Sequence, residues 1–179
     1  MHMLSWLSPK GTAAIVEFPG ILYRPGAEQK IRQYMIDNNF VDAVIQLPPD
    51  LFFGTGIATC ILVLRKNKSD NNILFIDASE DFVRIGNKNK LTEDNINDIV
   101  KLYKDRVNVD KKSYVATYEE IKDNNYNIAV NSYLKVETII EEIDIDVVNN
   151  HIDEIVEEAN AIRSELKILI EEMELEKDE

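Results

Sequence analysis

Val148, Ile152, Ile155, Ala159, Ile162, Leu166, Leu169 and Met173 follow one another at spacings of 4, 3, 4, 3, 4, 3 and 4 residues. That is a seven-residue repeat, and it sets all of them on one face of a single long helix. The positions between are almost all charged or amide-bearing, apart from a flank of Val156, Ala161, Ile168 and Ile170. Such a stripe needs a cover. No second long helix of matching period occurs in the 179 residues, so the pattern points to another chain. The alternative is a helix that folds back on its own domain. In both readings residues 135–179 are an acidic helical tail for attachment, distinct from residues 1–134.

Charge divides at the same place. The net charge of −13 is carried almost wholly by the tail, where 4 basic residues face 16 acidic ones, while residues 1–134 hold 16 basic and 17 acidic side chains. An acidic helix repels phosphate, so the tail alone is not a nucleic-acid binder. It suits a basic partner, or is simply a solvated face. No apolar run approaches the ~18 residues of a membrane span, and Met1-His2-Met3-Leu4 lacks the pattern of a signal peptide. The single Cys60, set in ATCILVL, reads as an inert buried thiol of a cytoplasmic protein.

Residues 12–18, TAAIVEF, read as a buried strand between Gly11 and Pro19-Gly20. A helix follows over 26–38, with Ala27, Ile31, Tyr34 and Met35 on one face. Residues 41–47, VDAVIQL, alternate apolar and polar as a second strand, 58–65 form a third that is apolar on both faces, and 72–78 a fourth. Thr92 is placed to cap a helix carrying Ile96, Ile99, Val100 and Tyr103. Thr117 with Glu120 has capping-box spacing for a short helix through Lys122. Asn124 to Ser132 reads as loop or edge, and Asp146 as the N-cap of a terminal helix that runs to about Leu175. The order strand, helix, strand, strand, strand is a piece of a mainly parallel α/β sheet.

A self-contained active site is not legible. The histidines are His2 and His151, one at the terminus and one on the acidic helix, and with one cysteine there is no Cys/His cluster at metal-ligand spacing. No catalytic residue and no metal site is assigned. The Gly54-Thr55-Gly56 segment contains GxG but enters a strand, which does not suit a dinucleotide loop. The stretch around it is still informative. Pro48 and Pro49 stiffen a strand exit, and Phe52 and Phe53 precede the two glycines. Aromatics on a stiff loop at a sheet end suit the stacking of a planar group. Alternatively, both rings fill the core beneath the loop.

PGILYRPGAEQKIRQYMIDNNFVDAVIQLPPDLFFGTGIATCILVLRKNK, followed by LFIDAS and by NYNIAVNSYL, resembles the modification subunit of type I restriction–modification systems. That family consists of adenine-N6 DNA methyltransferases using S-adenosylmethionine. The resemblance extends over residues 1–134 and more loosely to the terminal helix. Relatives often read LPNG after the first strand, where this chain has Phe18-Pro19-Gly20.

The resemblance implies an α/β fold class: the C-terminal portion of a Rossmann-like S-adenosylmethionine-dependent methyltransferase sheet, followed by a long C-terminal helix. Strands 12–18, 41–47 and 58–65 would be its last three, the final one antiparallel and inserted between the others. The family's cofactor loop and Asn-Pro-Pro-aromatic motif lie upstream of the matched segment. Pro48-Pro49, flanked by Leu47 and Asp50, is no substitute. The start MHMLSWLSPKG resembles the interior end of a family helix, so the expectation is a C-terminal part of the subunit, inactive and without cofactor alone. The Phe52/Phe53 loop corresponds to the region whose aromatic packs on the flipped adenine, Phe53 being favoured. The terminal helix would bundle with the specificity subunit, in a complex that holds a second modification subunit and contacts DNA only when assembled. The isolated chain is expected to self-associate. The other expectation is a free-standing, non-catalytic module docking on a specificity subunit through this helix.

Overall fold

The computed structural model describes residues 1–134 and 145–175. The chain divides into two compact units, Met1–Val136 and Glu137–Glu179. The first runs α1 (His2–Trp6), β1 (Thr12–Glu17), α2 (Gly20–Tyr23), α3 (Ala27–Asp37), β2 (Val41–Gln46), β3 (Cys60–Arg65) and β4 (Ile73–Asp77). It continues through the hairpin β5 (Val83–Ile85) and β6 (Lys88–Lys90), α4 (Glu93–Asp105), β7 (Ser113–Ala116), α5 (Tyr118–Asp123) and a 3-10 turn at Val130–Ser132.

Five strands form one sheet in the order β1-β3-β2-β4-β7. β3 lies between β1 and β2 and is antiparallel to both, from Thr12 opposite Arg65 to Glu17 opposite Cys60. This is the order that the resemblance implies for these three strands. One face of the sheet buries Leu22, Met35, Ile36, Phe75, Ile121 and Ile128; the other buries Ala43, Ile45, Val63, Leu74 and Ile76 against Ile99 of α4. Helices on both faces of a sheet explain why β2, β3 and β4 are apolar almost throughout.

The expectation of a mainly parallel sheet is not met by the strand pairings. β2 with β4 is the parallel pairing among the described strands, while β1–β3, β2–β3 and β4–β7 are antiparallel. A strand covered on both faces is apolar whichever way it runs, so hydropathy carries no direction. β1 is not buried either. It is an edge strand whose residues alternate between exposed and half-buried.

On α3 the buried residues are Arg32, Met35 and Ile36, whereas Ala27, Ile31 and Tyr34 are exposed. The face is turned because Arg32 is held inward. Its guanidinium donates to the carbonyls of Ile21 at 2.9 Å, Arg24 at 2.8 Å and Tyr126 at 3.0 Å. Burial lowers its pKa, with Glu28 opposing. One side chain thus joins the RPG turn to the NYN segment, two stretches that the sequence shows only as motifs. Asp42, in the middle of β2, is also buried rather than exposed. It accepts from the Tyr103 hydroxyl at 2.5 Å and pairs with Arg106 at 3.0 Å. Burial and that bond raise the Tyr103 pKa to about 12.

The capping box of Thr117 with Glu120 forms as read, and the Thr92 cap proves to be a capping box too, with Asn95. Of the α4 face, Ile99 is buried, while Ile96 and Val100 line an open apolar cleft of about 340 Å³ beside Ala14 and Ile61.

The second unit contains α6 (Ile145–Leu175). Asp146 lies in its first turn rather than at the N-cap, where a carboxylate still meets the positive end of the helix. Along the stripe Ile152, Ile155, Ile162 and Leu166 are each more than half exposed. Ala159 is half-buried. The side chains of Val148, Leu169 and Met173 lie outside the described residues, as do those of Ile168 and Ile170. No helix among the described residues is long and apolar enough to cross a membrane.

Candidate functional site

β1, β2 and β4 run in one direction, and their carboxyl ends bring Glu17, Gln46 and Asp77 to one margin of the sheet, with Cys60 opposite both Glu17 and Gln46. In open α/β sheets the carboxyl margin of the parallel strands is where ligands bind. Cys60 itself is buried and gives its Sγ–H to the Glu17 carbonyl at 3.4 Å. Burial, with Glu17 adding to it, pushes the thiol up to about 11, so it is not a nucleophile near neutral pH.

The loop between β2 and β3 rises from this margin. The Leu47 N–H donates to the Thr59 carbonyl at 2.8 Å, which closes the stem. Asp50 and Gly54 sit in left-handed backbone, at φ 55° and 81°, and only the glycine adopts it without strain. A Cβ on Gly56 would come within 3.2 Å of the Asp50 carboxylate. The Thr55 hydroxyl accepts from the Ile57 N–H at 3.1 Å. At the crest the Phe53 side chain is 100% exposed, and Phe52 is 39% exposed. Neither ring lies in the core, so the alternative in which both rings fill the core beneath the loop is overturned.

The sequence reading missed what braces this loop. The β5–β6 hairpin lies against it. The Asn89 amide is buried and donates to the Pro49 carbonyl at 2.8 Å, and its N–H donates to the Asp50 carbonyl at 3.1 Å. Arg84 donates to Asn89 Oδ1 at 3.0 Å and to the Asp50 carboxylate at 3.2 Å. The Lys88 ammonium donates to the carbonyls of Phe52 at 3.0 Å and Thr55 at 3.2 Å. A signal was available: Gly86-Asn87 between two short extended runs is a two-residue hairpin turn, and Gly86 has φ 60°. Its strands are three residues each, Val83-Arg84-Ile85 and Lys88-Asn89-Lys90, too short for hydropathy to mark them.

A polar cleft of about 290 Å³ at the opposite end of β2 is lined by Asp42, Arg65, Lys68 and Arg106. Its lysine is engaged in structure, donating to the carbonyls of Val41 and Asn72, and burial lowers its pKa to about 8. Among the described residues no group of histidine, cysteine or carboxylate side chains has the arrangement of a metal site.

Residues 1–142 match the family described as N-6 DNA Methylase. The chain is 45% identical over 179 residues to the Type I restriction enzyme MpnII methylase subunit of Mycoplasma pneumoniae, covering 99% of this chain and 33% of that protein. It is 36% identical over 159 residues to the Type I restriction enzyme MjaVIII methylase subunit of Methanocaldococcus jannaschii, covering 86% of this chain and 26% of the relative. Its fold is similar to the crystal structure of the type I restriction-modification system methyltransferase subunit from Streptococcus thermophilus. The TM-score is 0.73 at 37% identity, over 74% of this chain and 29% of that one. The chain therefore spans about a third or less of the length of these relatives.

Proposed function

This chain belongs to the N-6 DNA methylase family, and from that premise we propose that it works as the C-terminal portion of a type I restriction–modification methylase subunit. The complete subunit would transfer a methyl group from S-adenosylmethionine to the N6 of a target adenine in DNA. This segment would supply the loop that receives the flipped base and the helix that docks on the specificity subunit, beside a second modification subunit, in a cytoplasmic complex. The supporting observation is the Phe53 ring, fully exposed on a braced loop at the carboxyl margin of the sheet. An aromatic face there costs nothing to uncover when a base arrives. Phe52 is the second candidate.

The residues present do not fit the cofactor. Gly54-Thr55-Gly56 leads into β3, not into a helix whose N-terminal amides would cradle an anionic group. The Phe52 and Thr55 carbonyls beside it are engaged by Lys88. Calorimetric titration of the 179-residue chain with S-adenosylmethionine is expected to give no saturable heat, and the complete subunit a saturable one. A micromolar dissociation constant for the chain alone would sink this division of labour.

The base-stacking role is tested by Phe53→Ala in the complete methylase. Base–aromatic stacking is worth about 1–3 kcal/mol, so methylation is expected to fall about 5- to 150-fold with thermal stability nearly unchanged, since the ring is already in solvent. Unchanged methylation would remove Phe53 from the site. The exposed acidic stripe of α6 also favours a second reading, a non-catalytic module docking on a DNA specificity subunit. A reading frame directly upstream encoding an Asn-Pro-Pro-aromatic motif separates the two, because a free-standing module has no use for it.

A further inference from the structure

Lys88 and its hairpin divide the bracing of the loop between them. Asn89 and Arg84 hold the stem at Pro49 and Asp50, and Asn89 does so as a buried amide with both its nitrogen and its oxygen engaged. Lys88, the adjacent residue of β6, reaches the crest, where its ammonium binds the carbonyl of Phe52 on one side of Phe53 and that of Thr55 on the other. A single cation bridging two carbonyls three positions apart draws the backbone between them into a tight arch. Phe53 and Gly54 stand at its top. Gly54, with φ 81° and no atom within 4 Å of where a Cβ would be, resists no motion by itself. The crest is therefore a segment whose order comes from outside it.

We propose that Lys88 is a positioning residue that holds the Phe53 ring in the orientation in which a flipped base stacks on it. The inference rests on the reading of Phe53 given above. A base rotates out of the duplex after the DNA is bound, so its capture is an internal equilibrium of the complex. If the competent loop is only a fraction of the population, captured base falls by that fraction, and more DNA does not restore it. Loss of the ammonium should accordingly appear in kcat and leave the KM for DNA alone. A lysine that held a phosphate would do the reverse.

The experiment compares Lys88→Met, Lys88→Arg and Phe53→Ala with the parent in two assays. In the chain itself, exchange of the Ile57 amide, whose N–H donates to the Thr55 hydroxyl of the crest, is expected to quicken about tenfold in Lys88→Met, with β2 and β3 unchanged. In the complete methylase assembled with its specificity subunit, kcat is expected to fall about tenfold with the KM for DNA within about twofold. Lys88→Arg, whose guanidinium still reaches two carbonyls, is expected to recover most of both. Unchanged exchange and kcat in Lys88→Met, alongside a loss in Phe53→Ala, would overturn the positioning role and leave the stacking reading standing. Quickened exchange with no kcat loss in either variant would overturn the stacking reading while the bridge itself persists. A raised KM at constant kcat would assign Lys88 to phosphate instead.

Discussion

Arg32→Met is expected to cost the first unit about 3–5 kcal/mol, since it leaves up to three acceptors unsatisfied at about 1–3 kcal/mol each, less the relief of no longer burying a charge. The methionine keeps the length and apolar stem of the side chain, so little packing is lost. What disappears are three charge-assisted hydrogen bonds, to the carbonyls of Ile21, Arg24 and Tyr126. Each is worth about 1.5–3 kcal/mol, offset by relief of the cost of burying the guanidinium. The carbonyls left behind lie beside the core residues Leu22, Met35 and Ile128, and the loss is largest where water does not reach them. Against a total of about 5–15 kcal/mol for an ordinary domain, the variant should be partly unfolded at 37 °C. Arg32→Lys is expected to recover little, because a single ammonium cannot take the place of the two guanidinium nitrogens that reach three separate oxygens. Urea titration followed by tryptophan-independent circular dichroism measures both. A loss under about 1 kcal/mol would mean that water reaches these carbonyls and the side chain acts as a surface group.

Leu166→Asp is expected to turn a self-associating chain into a monomer. α6 spans 31 residues, roughly 46 Å at 1.5 Å per residue. Ile152, Ile155, Ile162 and Leu166 are already about half covered by their own helix, so completing their burial gives about 1 kcal/mol each. Four positions on each of two chains amount to about 8 kcal/mol, the free energy of a micromolar complex before ordering costs of several kcal/mol. The remaining apolar seam positions add to this. The charge of residues 135–179, with 16 acidic and 4 basic side chains, opposes it but is screened over ~10 Å at 0.1 M salt. Association at tens of micromolar that strengthens with salt is the expected result in sedimentation equilibrium. A basic partner would bind the same face with the opposite salt dependence. A wild-type chain that stays monomeric in both salts would overturn the unpartnered seam.

The elements that could be read from the sequence are those whose signal is local. Thr92 and Thr117 carry their capping partners three residues away, and VDAVIQL and CILVLR announce buried strands by composition alone. Composition carried no strand direction, because the same apolar β3 serves a parallel or an antiparallel neighbour; the antiparallel β3 came from the family resemblance alone. Nothing in the sequence marks Arg32 as a buried residue of α3, since its partners are backbone carbonyls that no side-chain pattern shows, the one at Tyr126 lying 94 positions away. At the site, Phe52, Phe53 and the glycines were visible. Their orientation was not, because a stiff apolar loop looks the same whether its rings point in or out. Lys88 and Asn89 belong to a hairpin whose strands are three residues each, too short to show an alternation, which leaves the Gly86-Asn87 turn as the clue.

The placement of β3 has a consequence for synthesis on the ribosome. β1 and β2 are neighbours only through β3, and Glu17 must wait for Cys60, which emerges 43 residues later. At about 5–20 residues per second that interval lasts roughly 2–9 s. During it β1, joined late in the interval by β2, is outside the tunnel with no partner along the edge that β3 will fill. Loop closure over such a distance is slow to repay its entropy. The nascent chain is then most open to holdase chaperones and to pairing with a neighbouring copy on the same messenger. Slowing translation between codons 18 and 60 should lower the soluble yield more than the same slowing after codon 65.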